Sequence, residues 1–240
     1  MDEAPPPRIT RRRLLRMAGV AAVAAPVVSL LSLHTAYAEQ AVDCPIYLFH
    51  ATSAAAVENV LFTNRRQGRL PVTVADLTAI MLGEQDVPAA PLFCMSFDDG
   101  YLVQYQQAVP VLDRYQAPAT FFVMGTGWQG DGVHTYMNAD QIQNLAQRGF
   151  EIGSHTVNHA NLVALRARNR GAYLGEIFSS KSQLEDLIQS DVTSFCYPNG
   201  AYDAGVIADV STAYRAAATE ITGRAQSSSA RYLLRRTHMS

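Results

Sequence analysis

The chain has 240 residues with 19 basic and 21 acidic side chains, so its formal net charge is only −2. A composition that is 48% hydrophobic and 17% charged supplies a sizeable core and argues against intrinsic disorder. The near-neutral charge gives no reason to expect nucleic acid or an anionic membrane surface as a partner. Cys44, Cys94 and Cys196 match neither a disulfide framework nor a zinc ribbon. We expect them mainly as buried thiols, although one pair could bond in an oxidising compartment.

Residues 1–38 are predicted to be an export signal. A basic run with a twin arginine opens the segment, an apolar stretch over residues 17–33 follows, and Ala36-Tyr37-Ala38 is a small-x-small cleavage site. The segment resembles a bacterial twin-arginine (Tat) signal peptide, which implies the Tat translocase as a partner during export. An uncleaved membrane anchor has similar flanks, but the proline within the apolar stretch and the cleavage site favour removal. We therefore expect a mature domain of residues 39–240, without a stable membrane span, in the periplasm or outside the cell.

Predicted strands and helices alternate along the mature chain. Pro110 is expected to interrupt the predicted helix at residues 102–115. Gly171 and Gly175 weaken the middle of the long, fifth predicted helix, at residues 165–189. Strands are predicted at residues 44–50, 92–97, 119–124, 150–154, 194–197, 214–218 and 232–236. Helices are predicted at residues 53–65, from 73 onward, and at 102–115, 138–148, 165–189 and 203–210, with Ser53, Thr73 and Asn138 as N-caps.

This alternation predicts the fold class. Strands that alternate with helices are typical of a parallel sheet flanked by helices. His50, Asp98, Asp99, His155 and Asn199 stand where predicted strands end, and in an α/β barrel those ends form the functional face. Because the mature chain is short for eight units, we predict one α/β domain with an incomplete or distorted (β/α) barrel.

In the stretch from Cys94 to Gly100, two adjacent carboxylates, Asp98 and Asp99, lie at the end of a predicted buried strand. Neighbouring carboxylates repel each other, so a site that holds both usually needs a cation or a proton. His155 and His159 lie four residues apart and offer two further ligands. Two histidines and one carboxylate leave coordination positions open for water and substrate, as a catalytic zinc requires. The residues therefore predict a site for one divalent metal ion, with zinc as the expected ion.

Three motifs carry a resemblance to a known family. Ser96-Phe-Asp-Asp-Gly100, His155-Thr-Val-Asn-His159 and Phe195-Cys-Tyr-Pro-Asn-Gly200 resemble, in order and spacing, the first three motifs of the polysaccharide deacetylases. This is the NodB-homology group, or carbohydrate esterase family 4, and the resemblance covers about residues 44–236. It implies a NodB-type barrel with Asp99, His155 and His159 as metal ligands and Asp98 as general base. It further implies that the backbone N–H of Asn199 helps to bind the oxyanion.

The resemblance leaves two histidines in competition as the general acid. In the usual family layout the acid comes from a late strand, near which His238 stands. The stretch from Pro45 to His50 instead resembles the opening strand of a subgroup that includes poly-N-acetylglucosamine deacetylases. There the histidine comes from the N-terminal strand. We therefore prefer His50 as the acid and keep His238 as the alternative.

The chain also departs from the family pattern. Many members carry an arginine in the third motif that pairs with the base, and here Cys196 takes that position. Arg235 or Arg236 is a candidate replacement, although a solvated chain end is an equally good interpretation of both. The fourth motif, with its Asp and Trp, is not recognisable, and Trp128 is not in the matching place, so the acetyl pocket is not assigned.

The function expected from the sequence is metal-dependent hydrolytic deacetylation of an N-acetylated polysaccharide or oligosaccharide, which is the expected partner. Two alternatives stay open. One is an O-acetyl or small-amide hydrolase that uses the same site. The other is a non-catalytic glycan-binding protein of the envelope, favoured by the missing arginine and fourth motif but opposed by the retained aspartates and histidines.

Overall fold

The computed structural model describes residues 42–125 and 135–239. The predicted export signal and the loop that holds Trp128 lie outside this part of the chain. The strands are β1 (Val42–Asp43), β2 (Ile46–Phe49), β3 (Leu70–Pro71), β4 (Leu92–Phe97), β5 (Thr120–Val123), β6 (Glu151–Ser154), β7 (Ser194–Cys196), β8 (Ala216–Ala218), β9 (Ala225–Gln226) and β10 (Thr237–His238). The α-helices are α1 (Ala54–Arg66), α2 (Val74–Met81), α3 (Val109–Tyr115), α4 (Ala139–Gln147), α5 (Leu162–Arg168), α6 (Arg170–Ile188) and α7 (Ala204–Ser211).

The main sheet is parallel and curls into an incomplete barrel, as predicted. Its strand order is β10-β2-β4-β5-β6-β7-β8, with β3 paired to the start of β4, whereas β1 and β9 form a separate antiparallel pair. Near the end of the chain, Leu234 makes a parallel bridge to Ala218 of β8, and β10 then pairs with β2. The last segment therefore contacts β8 at one edge of the curl and β2 at the other.

The predicted strand at residues 232–236 is wrong. The segment crosses from one edge of the curl to the other. Its pairing with the main sheet is therefore limited to the bridge at Leu234 and to the strand β10. Between them, the N–H of Arg235 donates to the side chain of Gln226, and the N–H of Arg236 donates to the carbonyl of Ile221. These two residues therefore satisfy their N–H groups outside the main sheet.

The side chains of β4 alternate between two buried clusters. Leu92 and Cys94 belong to the cluster that fills the barrel interior, whereas Phe93, Met95 and Phe97 pack in the cluster under the helices. Successive side chains of a strand point to opposite faces. The same alternation turns Ser96 and Asp98 inward, at the carboxyl end of the barrel.

Helix α2 closes the amino end of the barrel. The first residues of β5 and β6 hold its N-terminus, because the N–H groups of Val74 and Ala75 donate to Thr120 Oγ1 and to Glu151 Oε2. The predicted N-cap at Thr73 is confirmed and forms a full capping box with Asp76. The apolar residues of this helix belong to the interior cluster: Val74, Leu77, Ile80 and Met81.

The two expected helix interruptions have different outcomes in the structure. The long fifth helix divides at Asn169, which has extended φ and accepts the N–H of Ala172 as the N-cap of α6, and not at Gly171 or Gly175. At Pro110 the predicted change is present, because a π-helical turn over Gln104–Ala108 ends just before it and α3 begins at Val109. Among the described residues, no helix has both the length and the hydropathy needed to cross a membrane.

Candidate active site

The six predicted site residues all lie at the carboxyl edge of the barrel. Asp98 and Asp99 follow β4, His50 follows β2, and His155 follows β6 with His159 in the same loop. Asn199 lies in a single 3₁₀ turn after β7. Because parallel strands end at one edge, residues that are distant in sequence meet there.

Asp99 and the two histidines converge on one point. Asp99 Oδ1 lies 3.4 Å from His155 Nε2 and 3.4 Å from His159 Nε2. In a tetrahedral zinc site, bonds of about 2.0–2.1 Å put the ligand atoms about 3.3–3.4 Å apart. Both distances from the carboxylate to a histidine therefore fit a small divalent ion, and all three donor atoms lie within 4.8 Å of one another.

The ring of His155 is oriented for this role by the neighbouring strand. Its Nδ1 lies 2.9 Å from the carbonyl oxygen of Cys196. A carbonyl oxygen can accept a hydrogen bond but cannot donate one. The proton therefore belongs on Nδ1, and the lone pair of Nε2 faces Asp99. Burial by itself would raise the pKa of Asp99, but its interactions with His155, His159 and Tyr101 lower it to about 2. Asp99 is therefore ionised at neutral pH and available as a metal ligand.

A second set of possible ligand atoms, from Asp98, His155 and Cys196, also lies within 4.8 Å. A guanidinium nitrogen of Arg236 is 2.7 Å from Asp98 Oδ2 and 3.1 Å from Cys196 Sγ, so a permanent cation already occupies this position. Burial raises the pKa of the Cys196 thiol, which keeps it protonated and a poor ligand. The set built on Asp99 is therefore the better metal site.

Arg236 supplies the cation that the third motif lacks. It is fully buried, and its two terminal nitrogens each lie 2.7 Å from one oxygen of Asp98, itself only 1% exposed. Its Nε donates to the carbonyl of Thr219. Burial would raise the pKa of Asp98, but the charge and hydrogen bonds of Arg236 hold it below its usual value. Of the two predicted candidates, Arg236 makes the contact, and Arg235 is exposed.

The two candidates for the general acid lie side by side. The parallel pairing of β10 with β2 brings the rings of His50 and His238 to a centroid distance of 6.1 Å. The backbone carbonyl of His50 shares the side-chain amide of Gln104 with the carbonyl of Asp98, which places His50 beside the acid pair. His238 is the more exposed of the two.

The backbone is strained at the predicted motifs. Asp99 (φ 73°), Thr156 (φ 65°), His159 (φ 54°) and Asn199 (φ 56°) adopt left-handed conformations that non-glycine residues rarely take. Such strain persists only where the surrounding structure holds it, and it is common at functional sites. The expected tight turn at Pro-Asn-Gly is present, whereas the role of Asn199 toward an oxyanion stays a prediction.

Three residues near the site were missed in the sequence analysis. Gln104, in the π-helical turn, donates to the carbonyls of both Asp98 and His50. Tyr101 gives a hydrogen bond to Asp99, and Glu176 of α6 accepts hydrogen bonds from the loop between the two histidines. Tyr101 follows the first motif directly and could have been suspected, but nothing in the sequence marks Gln104 or Glu176.

Comparison with known proteins agrees with this geometry. The family model for polysaccharide deacetylases matches residues 86–217, which is more than half of the chain. The chain belongs to the polysaccharide deacetylase family. The matched range contains Asp98, Asp99, His155 and His159 but neither His50 nor Arg236.

Individual relatives agree with the family assignment. YxkH of Bacillus subtilis (strain 168) is 30% identical over 163 residues, which are 68% of this chain and 56% of that protein. A chitin deacetylase of Pestalotiopsis sp is 31% identical over 98 residues, or 41% of this chain and 29% of that protein. The chain thus spans about half or less of the length of these curated relatives.

A solved structure has the same fold. The Streptococcus pyogenes deacetylase PplD, in complex with acetate, superposes with a TM-score of 0.73 at 21% identity and covers 83% of this chain and 93% of that one. Identity this low shows the fold only. The curled parallel sheet with surrounding helices is therefore that of a deacetylase structure.

Proposed function

We propose that this deacetylase removes acetyl groups from the amino groups of an N-acetylated glycan by metal-dependent hydrolysis. The observation that carries the proposal is the convergence of Asp99, His155 and His159 beside a carboxylate, Asp98, that is held by Arg236. Their nitrogen and oxygen donors favour zinc. When bound, the metal would polarise the acetyl carbonyl and make a water molecule more acidic.

Asp98 and His50 each carry out one of the two proton transfers that the reaction requires. Asp98 is ionised at neutral pH because of Arg236, so it can accept a proton from the attacking water. Water adds to the acetyl carbon, the C–N bond breaks, and acetate and an amine are formed. His50 donates the proton that the departing nitrogen requires, and the N–H of Asn199 helps to hold the carbonyl oxygen as it gains charge.

Among the substrates, chitin-type oligomers, poly-N-acetylglucosamine and peptidoglycan are the ones to try first. The family description and the chitin deacetylase among the relatives support an acetylated glycan. An O-acetyl ester or a small amide would use the same groups. An ester needs less help from an acid than an amide does, because an alkoxide leaves more readily than an amine anion. The rates of the wild-type protein on matched N-acetyl and O-acetyl substrates separate these two possibilities.

The glycan-binding alternative loses one of its two arguments. It was favoured by the absent third-motif arginine, but Arg236 pairs with Asp98 in the folded chain. The deciding experiment is acetate release from these glycans by chelator-treated protein before and after zinc is returned. Asp98→Asn should lower turnover by about 10²–10⁴-fold and keep zinc binding. If the wild-type protein binds zinc and glycan but releases no acetate, the binding function is correct.

The proposal includes export to the periplasm or beyond through the Tat translocase. Its support is the twin arginine and the small-x-small site in residues 1–38. Replacing both Arg11 and Arg12 by lysine should leave the full-length precursor in the cytoplasm, as followed by cell fractionation and immunoblotting. Unchanged export of the double variant would exclude this route.

A further inference from the structure

Glu176 is a buried carboxylate whose hydrogen-bond partners, within the described part of the chain, all belong to the loop between the two histidine ligands. The backbone N–H groups of Val157 and Asn158 donate to its Oε2, at 2.9 and 2.8 Å, and the side-chain amide of Asn158 donates to its Oε1 at 2.7 Å. Glu176 is only 8% exposed. All three donors are uncharged N–H groups of two consecutive residues, so the carboxylate fixes the path of the loop.

The two histidines depend on this loop to different degrees. His155 is held at the end of β6, because its backbone N–H donates to Val123 and its ring is bonded to the carbonyl of Cys196. His159 comes four residues later, its side chain is 30% exposed, and its backbone is left-handed. Thr156, at the start of the loop, is also left-handed. The position of His159 Nε2 relative to Asp99 therefore rests on what holds residues 156–159.

Helix α6 gives Glu176 a rigid base. The helix is 19 residues long, and its buried side chains, Tyr173, Ile177, Ser180 and Leu184, recur at helical spacing on one face. Glu176 lies on this face. A carboxylate on a packed helix is a more precise anchor for a ligand loop than another loop would be.

We propose that Glu176 is a positioning residue of the metal site, whose carboxylate orients the 156–159 loop so that His159 meets Asp99 and His155. This inference rests on the proposed function, because it assumes that these three residues bind a metal ion. Residues that orient metal ligands typically change metal affinity by about 10–100-fold when they are altered. We attribute this effect to the position of the Glu176 carboxylate oxygens and not to the charge of Glu176.

Zinc affinity of the chelator-treated protein tests the proposal without any glycan substrate. It is measured by competition with a chromophoric chelator, and unfolding in zinc-free buffer verifies that each variant is folded. Glu176→Gln removes the charge but keeps an oxygen for both backbone N–H groups, and Asn158 can rotate its amide to face the new one. Glu176→Asp keeps the charge but withdraws the oxygens by one methylene. Glu176→Ala removes both.

A matched control lies on the same helix. Glu185 also accepts a loop N–H, from Val192, and it pairs with Lys181 away from the histidine loop. We expect Glu185→Ala and Glu176→Gln to bind zinc nearly as well as the wild-type protein. Glu176→Asp and Glu176→Ala should weaken zinc binding by about 10–100-fold. If Glu176→Ala does not fold, the zinc affinities of Glu176→Asp and Glu176→Gln still show whether Glu176 acts through its position or through its charge.

The remaining outcomes count against the proposal. If Glu176→Asp binds like the wild-type protein and Glu176→Gln binds weakly, Glu176 acts through its charge, and the positioning role is wrong. Equal zinc binding by every folded variant means that Glu176 has only a structural role. A wild-type protein that binds no zinc overturns the metal site itself, and with it the proposed function.

Discussion

Asp98 and Asp99 are neighbours in the chain, but their carboxylates face different partners. Asp99 lies against two histidines, and Asp98 lies against a buried guanidinium. The strand alternation turns Asp98 into the barrel, and the left-handed backbone of Asp99 (φ 73°) redirects the next side chain toward the histidine loop. One residue can therefore hold a cation while the other stays free to accept a proton.

The adjacent histidines give the first prediction. A general acid must be protonated to act, so the rate falls at alkaline pH as the acid loses its proton. Substitution of the acid removes this alkaline limb of the pH–rate profile. We expect His50→Ala to lose this limb and to lower kcat by about 10²–10⁴-fold, and His238→Ala to keep the limb. The measurement is kcat against pH for each variant, and the two serve as controls for each other. If only the His238 variant loses the limb, the roles are reversed.

At the scale of single elements, local sequence signals predicted helix starts well. Ser53, Thr73 and Asn138 cap their helices as expected, because each accepts an N–H three residues later within its own segment. Glu151, at the start of β6, adds a contact that local sequence does not reveal. Its carboxylate accepts the N–H of Ala75 and the hydroxyl of Thr120. A strand thus helps to cap a helix that is 76 residues earlier in the chain.

Glu151 gives the second prediction. Burial raises the pKa of Glu151 above its usual value of 4.5, and its hydrogen bonds oppose this only in part. The folded state therefore holds the proton more tightly than the unfolded state. The resulting stabilisation is fully present below pH 4.5 and is lost as the pH rises through the folded-state pKa. Glutamine is a neutral isostere that can still accept both hydrogen bonds.

We therefore expect the free energy of unfolding of Glu151→Gln to improve, relative to the wild-type protein, as the pH is raised. The size is about 1.4 kcal/mol for each unit that separates the folded and unfolded pKa values. Urea unfolding at a series of pH values from 4 to 8 measures it. A difference that stays constant over this range, or that reverses, would contradict the assignment of a raised pKa to Glu151.

At the scale of the whole molecule, closure of the curl completes the candidate active site. The last segment bridges to β8 at Leu234 and pairs with β2 at Thr237–His238. Arg236 lies between these two anchors, and its guanidinium reaches Asp98 in the barrel interior. The charged partner of Asp98 therefore comes from a residue 138 positions away in sequence.

Arg236 gives the third prediction. Arg236→Met keeps a long apolar side chain but leaves Asp98 buried without a counter-charge, which should cost about 3–5 kcal/mol of stability. It should also raise the pKa of Asp98 and move the acid limb of kcat/KM to higher pH. Arg236→Lys keeps the charge but not the paired hydrogen bonds, so its effects should be smaller.

Urea unfolding and pH–rate profiles of both Arg236 variants measure these effects. The exposed neighbour Arg235 offers the control, since Arg235→Met should change neither quantity. An acid limb that does not move in a folded Arg236→Met protein would mean that Arg236 does not set the pKa of the base.

The sequence by itself determined the alternation of strands and helices, the acid pair and the three side chains of the candidate metal site. These follow from local rules, because hydrophobic runs, capping residues and short motifs act within one segment. Only the tertiary structure decided that Arg236 pairs with Asp98, that His50 and His238 are neighbours, and that Glu176 anchors the histidine loop. These contacts join residues 18 to 188 positions apart, and their geometry is set by how the sheet curls and closes. No local pattern in the sequence encodes that closure.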